Sequence, residues 1–246
     1  MIDTEAGLTT ASPIPRPRRS NSSSAKVVTS NVPPTYVDEM EALIAALGLE
    51  RFVLFGTSLG GLITMLLALK DKSRIAGALT NDIGPVLESR GLERIRAYVG
   101  RGQNWPTWLH AARFLKEAQA DRYPDWRLDQ WIAYAKRLCR LTPAGRVVLD
   151  YDPRIAEPFR EPGGETGFDL WQAFAGLEGV PSLVLRGELS DLLSEETVER
   201  MLAANPAMEA ATVPRVGHAP TLDEPEAEAA IDRLLKRARP RRKAAS

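Results

Sequence analysis

The chain has 246 residues, 44% hydrophobic and 26% charged, with Lys+Arg and Asp+Glu both 32 and a formal net charge of zero. That length buries a full core in one or two domains, and the neutral balance gives no reason to expect nucleic acid or an anionic membrane as partner. One cysteine, Cys139, excludes an intrachain disulfide and fits a reducing compartment, so a cytoplasmic location is expected.

No run of 18 apolar residues predicts a membrane span, and the N-terminus lacks the apolar core of a secretory signal. Residues 1–34 are rich in Pro, Arg and Ser and have no sustained periodicity, which predicts a disordered arm. Acidic Asp3 and Glu5 argue against a transit peptide, and Lys26-Val27-Val28-Thr29 is a candidate short strand. Thr35 opens the ordered body. Val37, Met40, Leu43, Ile44 and Leu47 recur at helical spacing, and Gly48 is placed to end that helix.

A buried strand, Phe52 to Phe55, then runs into a helix apolar almost all round from Leu62 to Leu69. Ile75 to Thr80 is a second strand, followed by Asn81-Asp82-Ile83-Gly84-Pro85. Leu92–Val99, Trp108–Ala118 and Leu128–Leu138 read as helices in a region without strand signals. Its tryptophans supply core or roof a pocket, and Cys139 continues the last helical pattern as a buried, inert thiol. Pro143–Pro162 reads as connection with one short helix. Pro181–Gly187 and Met208–Val213 are further strands, and Ser194–Asn205 and Leu222–Arg237 are helices. Alternating strands and helices predict an α/β protein with a mainly parallel sheet. The expected layout is an arm over 1–34, a core over 35–85 and 165–237, a helical cap over 86–164, and a basic disordered tail over 238–246.

Between the first strand and its helix lies Gly56-Thr57-Ser58-Leu59-Gly60, a G-x-S-x-G spacing. In this context the glycines let a strand turn sharply into a helix and push Ser58 out at the tip. A serine there is reachable by a base, and the Leu59 N–H at the helix N-terminus can face a developing oxyanion. The chain has two histidines. His110 lies inside a predicted helix, whereas His218 follows the last strand in Val216-Gly217-His218-Ala219-Pro220, where α/β sheets place their sites. For the orienting acid, Asp191 in Gly187-Glu188-Leu189-Ser190-Asp191 is the first candidate, and Asp82 is the alternative.

From Thr35 to about Arg237 the chain resembles the α/β-hydrolase family, in its capped, serine-nucleophile branch of lipase-like and lactonase-like enzymes. The resemblance rests on the elbow at 56–61, on Leu185 to Asp191, on Val216 to Leu222 and on Asn81 to Pro85. It implies Ser58 as nucleophile, His218 as base and Asp191 as acid, a small-molecule ester or lactone as substrate, and no metal or organic cofactor.

The family begins with several strands and a His-Gly loop that supplies a second oxyanion N–H, and no such loop precedes Ser58. Residues 1–34 thus read as foreign or out-of-frame sequence joined to a hydrolase body lacking its N-terminal strands. Two consequences are expected: a lost oxyanion donor, at about 2.7–4 kcal/mol of transition-state stabilisation, and an apolar sheet edge at Phe52–Phe55 open to self-association. The alternatives to ester hydrolysis are a catalytically impaired hydrolase body, and acyl transfer or peroxide-dependent chemistry on the same triad.

Overall fold

The computed structural model describes residues 32–160 and 169–239. The arm up to residue 31, the candidate strand at 26–29 and the tail from residue 240 lie outside the described residues.

The elements follow in order as α1 (Pro33–Ala46), β1 (Phe52–Thr57), α2 (Leu59–Lys70), β2 (Ile75–Asn81), α3 (Ser89–Tyr98), β3 (Asn104–Trp105), α4 (Trp108–Gln119) and α5 (Leu128–Leu138). Then come β4 (Cys139–Leu141), β5 (Val147–Leu149), a 3-10 helix (Pro153–Arg160), α6 (Leu170–Ala175), β6 (Ser182–Gly187), α7 (Glu195–Ala204), β7 (Met208–Val213) and α8 (Pro225–Ala238). The first helix starts two residues before the expected Thr35, because prolines at its first two positions lack only N–H groups that would be unpaired anyway.

Four strands form a parallel sheet in the order β1-β2-β6-β7. Alternate residues send side chains to opposite faces. Leu79, Leu183 and Leu185 join a core with α4, α5 and α8, whereas Ala78 and Val184 join a second core with α2, α6 and α7. Both faces are therefore covered, which is why these strands read as continuous apolar runs. Among the described residues β1 ends the sheet and pairs with β2 alone, and its Phe55 is 45% exposed.

The region between β2 and β6 corrects the expectation of helices without strands. Its helices are joined by a small antiparallel sheet in the order β3-β5-β4. Cys139 is the first residue of β4 and not part of a helix, although it is buried as expected. The apolar period Trp131, Ala135, Cys139 runs straight through the helix end, but the backbone at Cys139 is extended. Trp131 is fully buried, with Tyr123 at its edge and Trp126 stacked on Tyr123. Trp126 also lines a cavity of about 400 Å³ with Tyr134, Arg137 and Thr221. Trp131 thus serves as core, and Trp126 packs on that core while forming cavity wall.

The last helix starts at Pro225, not Leu222, whose φ of 72° keeps it out of the helix. The Glu224 carboxylate accepts the N–H groups of Thr221 and Leu222 just ahead of that start. No helix among the described residues is long and apolar enough to cross a membrane.

Candidate active site

β1 ends at Thr57, α2 begins at Leu59, and Ser58 alone makes the turn, with φ 52° and ψ −120°. Left-handed backbone of this kind costs free energy and persists only where its surroundings hold it. Two contacts do so. The Ser58 N–H donates to Asn81 O (3.1 Å), and the Gly61 N–H donates back to Ser58 O (2.8 Å). The turn closes so tightly that a Cβ on Gly56 would lie 2.3 Å from Gly60 O, and one on Gly61 would lie 2.2 Å from Ile83 Cγ2. A Cβ on Gly60 would meet nothing within 4 Å. Gly60 serves the motif through its backbone, which occupies the space Gly56 leaves free.

A serine at a helix N-cap usually spends its oxygen on an N–H of the first turn. Ser58 makes no such bond. Its Oγ lies 3.1 Å from His218 Nε2. On the other side of the ring, His218 Nδ1 lies 2.8 Å from Asp82 Oδ2. The carboxylate accepts, so Nδ1 carries the proton and Nε2 is left as acceptor for the serine hydroxyl. The arrangement is a continuous Ser58–His218–Asp82 chain at the C-terminal ends of β1, β2 and β7.

The structure therefore brings Asp82, the alternative acid, to His218 and holds Asp191, the first candidate, elsewhere. Asp191 accepts a fork from Arg94 of α3, at 2.5 Å from Nε and 2.6 Å from Nη2. Both carboxylate oxygens are used, and the pair is largely buried, at 13% and 18% side-chain exposure. A bidentate arginine is the strongest competitor a histidine can meet for a carboxylate. Glu188 is exposed, and its carboxylate accepts the Arg215 N–H. His110 lies exposed on α4, beside Thr107 Oγ1.

Asp82 is fully buried and has φ 55°. Its Oδ1 accepts the Gly187 N–H (2.8 Å), and its Oδ2 accepts the Ser190 hydroxyl (2.6 Å) as well as His218. The loop that carries His218 is gripped on both flanks. The Gly217 N–H donates to Arg122 O (2.7 Å), and the Tyr123 hydroxyl donates to Ala219 O (2.9 Å). Burial pushes the Tyr123 phenol well up, so it stays a donor. From the core side, Asn81 Nδ2 donates to Pro220 O (2.8 Å) and to Thr57 Oγ1 (3.1 Å), tying the histidine loop to the elbow. Sequence reasoning missed Ser190, Asn81, Tyr123 and Arg94. Ser190 carried a usable signal, as a hydroxyl in a turn just past a strand end. The others are joined to the site by contacts between segments far apart in the chain.

Burial works to raise the Asp191 carboxyl, but the hydrogen bonds and charge of Arg94, with smaller help from Arg122 and His218, outweigh it and hold the group below the usual carboxylate range. A depressed folded pKa stabilises the protein fully above the unfolded value, about 3.9, and that contribution disappears as pH falls through the folded value. Asp191→Asn is expected to flatten the acid limb of the stability curve below about pH 4. Urea midpoints between pH 2.5 and 6 check this, and parallel curves for the two proteins would contradict it.

The alpha/beta hydrolase family model matches residues 16–231. Over 202 residues the chain is 39% identical to the 3-hydroxybutyrate-oligomer hydrolase of Cupriavidus necator, a match covering 79% of this chain and 68% of that one. An alpha/beta hydrolase of known structure from Novosphingobium aromaticivorans is 55% identical, with a TM-score of 0.81 over 87% of this chain and 75% of that one. E-2-(acetamidomethylene)succinate hydrolase, at 23% identity and a TM-score of 0.68 over 86% of this chain and 75% of that one, shares the fold.

Proposed function

Because the chain belongs to the alpha/beta hydrolase family, we propose that it is a serine hydrolase that cleaves small carboxylic esters, with Ser58 as nucleophile, His218 as general base and Asp82 as the orienting acid. The observation that carries this reading is the unbroken hydrogen-bonded chain from Ser58 Oγ through both nitrogens of His218 to Asp82.

The chemistry follows from that order. Ser58 Oγ attacks the ester carbonyl while His218 Nε2 takes its proton. The negative charge that develops on the carbonyl oxygen faces the N-terminus of α2, where the Leu59 N–H has no partner within the helix and can donate to it. The imidazolium, held by the Asp82 carboxylate, then returns the proton to the departing alkoxide, which leaves as an alcohol. Water, deprotonated by the same nitrogen, attacks the acyl-enzyme and releases a carboxylic acid and free Ser58.

For the substrate, the named activity of the Cupriavidus relative favours esters of short hydroxy acids, in which each cleavage frees one carboxyl and one hydroxyl. The test is a fluorophosphonate probe followed by peptide mapping, beside chromatography of 3-hydroxybutyrate dimer and trimer incubated with the protein. The expected results are a label on Ser58 and stoichiometric monomer. Folded protein that takes no label refutes the serine mechanism. Label without monomer keeps the mechanism and removes the substrate.

A further inference from the structure

The turn after β6 lies where the resemblance puts the acid, and it carries the acid's hydrogen-bond donors instead. Gly187 offers its N–H to Asp82 Oδ1 (2.8 Å), and Ser190 offers its hydroxyl to Asp82 Oδ2 (2.6 Å), the oxygen that also accepts His218 Nδ1 (2.8 Å). Ser190 Oγ in turn accepts the N–H groups of Leu192 (3.2 Å) and Leu193 (3.1 Å). A hydroxyl has two lone pairs and one proton. Both lone pairs are taken, so the proton has only Asp82 to go to. The turn itself is clamped from outside by α3. The Glu88 N–H donates to Leu192 O (3.0 Å), and Gly91 lies so close that a Cβ there would be 2.7 Å from Asp191 O.

We infer that Ser190 is a positioning residue for the proposed triad: its aimed hydroxyl fixes the Asp82 carboxylate and sets how strongly that carboxylate holds His218. The inference rests on reading Ser58, His218 and Asp82 as the triad. A fully buried carboxylate stays charged only if its oxygens are met by donors. Ser190 and His218 share Oδ2, so each draws on the charge the other uses. Without the hydroxyl, Oδ2 gives more of its charge to His218 and raises the affinity of the ring for its proton. The same loss frees the carboxylate to rotate, which slows turnover.

Ser190→Ala, Ser190→Thr and Asp191→Asn separate this role from a merely structural one, since Asp191→Asn disturbs the same turn without removing a donor to Asp82. The readouts are kcat and KM on a short hydroxy-acid ester across pH, and the far-downfield proton resonance of His218 Nδ1–H. Ser190→Ala is expected to lower kcat about tenfold, the scale of one hydrogen bond to a charged group, with KM within about twofold. The acid limb of kcat/KM should move up by about half a pH unit, and the resonance should move further downfield. Ser190→Thr should stay within about twofold of the parent, and Asp191→Asn should lower Tm and, since it removes a negative charge that acts on His218, should not move the acid limb up. Wild-type behaviour of Ser190→Ala overturns the inference. So does a fall in kcat with limb and resonance unmoved and a Tm loss like that of Asp191→Asn. Failure of the triad reading shows itself separately, as wild-type protein that takes no label on Ser58, and the resonance still reports on Ser190 in that protein.

Discussion

Asp82→Asn is expected to lower kcat about 10⁴-fold while the protein stays folded. The amide fits the space of the carboxylate but presents an NH2 group or a neutral oxygen to His218 Nδ1. Either the ring turns its proton to Nε2, where it can no longer accept from Ser58, or it keeps the right tautomer and loses the charge that stabilises the imidazolium. Loss of the orienting acid with geometry retained costs about this factor in serine enzymes. Asp191→Asn supplies the contrast. It leaves the His218 partner in place, so kcat should change less than about tenfold. It strips the Arg94 guanidinium of its carboxylate in a largely buried position, so stability should fall by about 3 kcal/mol, the lower end of what breaking a buried pair costs. Turnover and Tm on both variants decide the matter. A 10⁴-fold loss in Asp191→Asn, with Asp82→Asn nearly intact, would return the acid role to Asp191.

Gly56→Ala should remove labelling at Ser58 altogether and destabilise the fold by about 4 kcal/mol or more. The added Cβ would stand 2.3 Å from Gly60 O, 2.4 Å from Gly60 C and 2.6 Å from Gly61 N. All three are backbone atoms of the first turn of α2, so relief requires moving the helix off the strand and not the turning of one side chain. Single substitutions reach this size only through a few mechanisms, and forced backbone displacement in a packed core is among them. Gly60→Ala meets open space, sits at the second residue of α2, and should change stability by less than about 1 kcal/mol. Chemical denaturation of the pair checks both. Equal tolerance at the two positions would show that the elbow is looser than this geometry.

The strand-turn-helix around Ser58 was legible because every local signal agreed: a short apolar run, the glycines, then an apolar helix. The position of His218 was legible for a similar reason, as a histidine past the last strand. The choice of acid was not. Asp82 and Asp191 both follow strand ends, and nothing within either segment tells which carboxylate is free. The deciding group is Arg94, on a helix far away in the chain, whose fork takes Asp191. The small antiparallel sheet was hidden for another reason. Its strands are two or three residues long, too short for a period of two to register, and the helical period before Cys139 overran the true helix end.

Ser58 and Asp82, the proposed nucleophile and acid, belong to one β1–α2–β2 unit, on neighbouring strands in register from Val53 to Thr57 against Gly77 to Asn81. The long segment between β2 and β6 begins only after Asp82. Its sequence can therefore drift or be exchanged without altering the distance between Ser58 and Asp82. What it must conserve is a short set of contacts: a backbone carbonyl facing Gly217, a phenol facing Ala219, and the Arg94 fork and Glu88 N–H that hold the turn carrying Ser190 and Asp191. Change in the insertion is thus separable from upkeep of the unit that holds Ser58 and Asp82, and transplanting insertions between relatives becomes a matter of matching these few contacts.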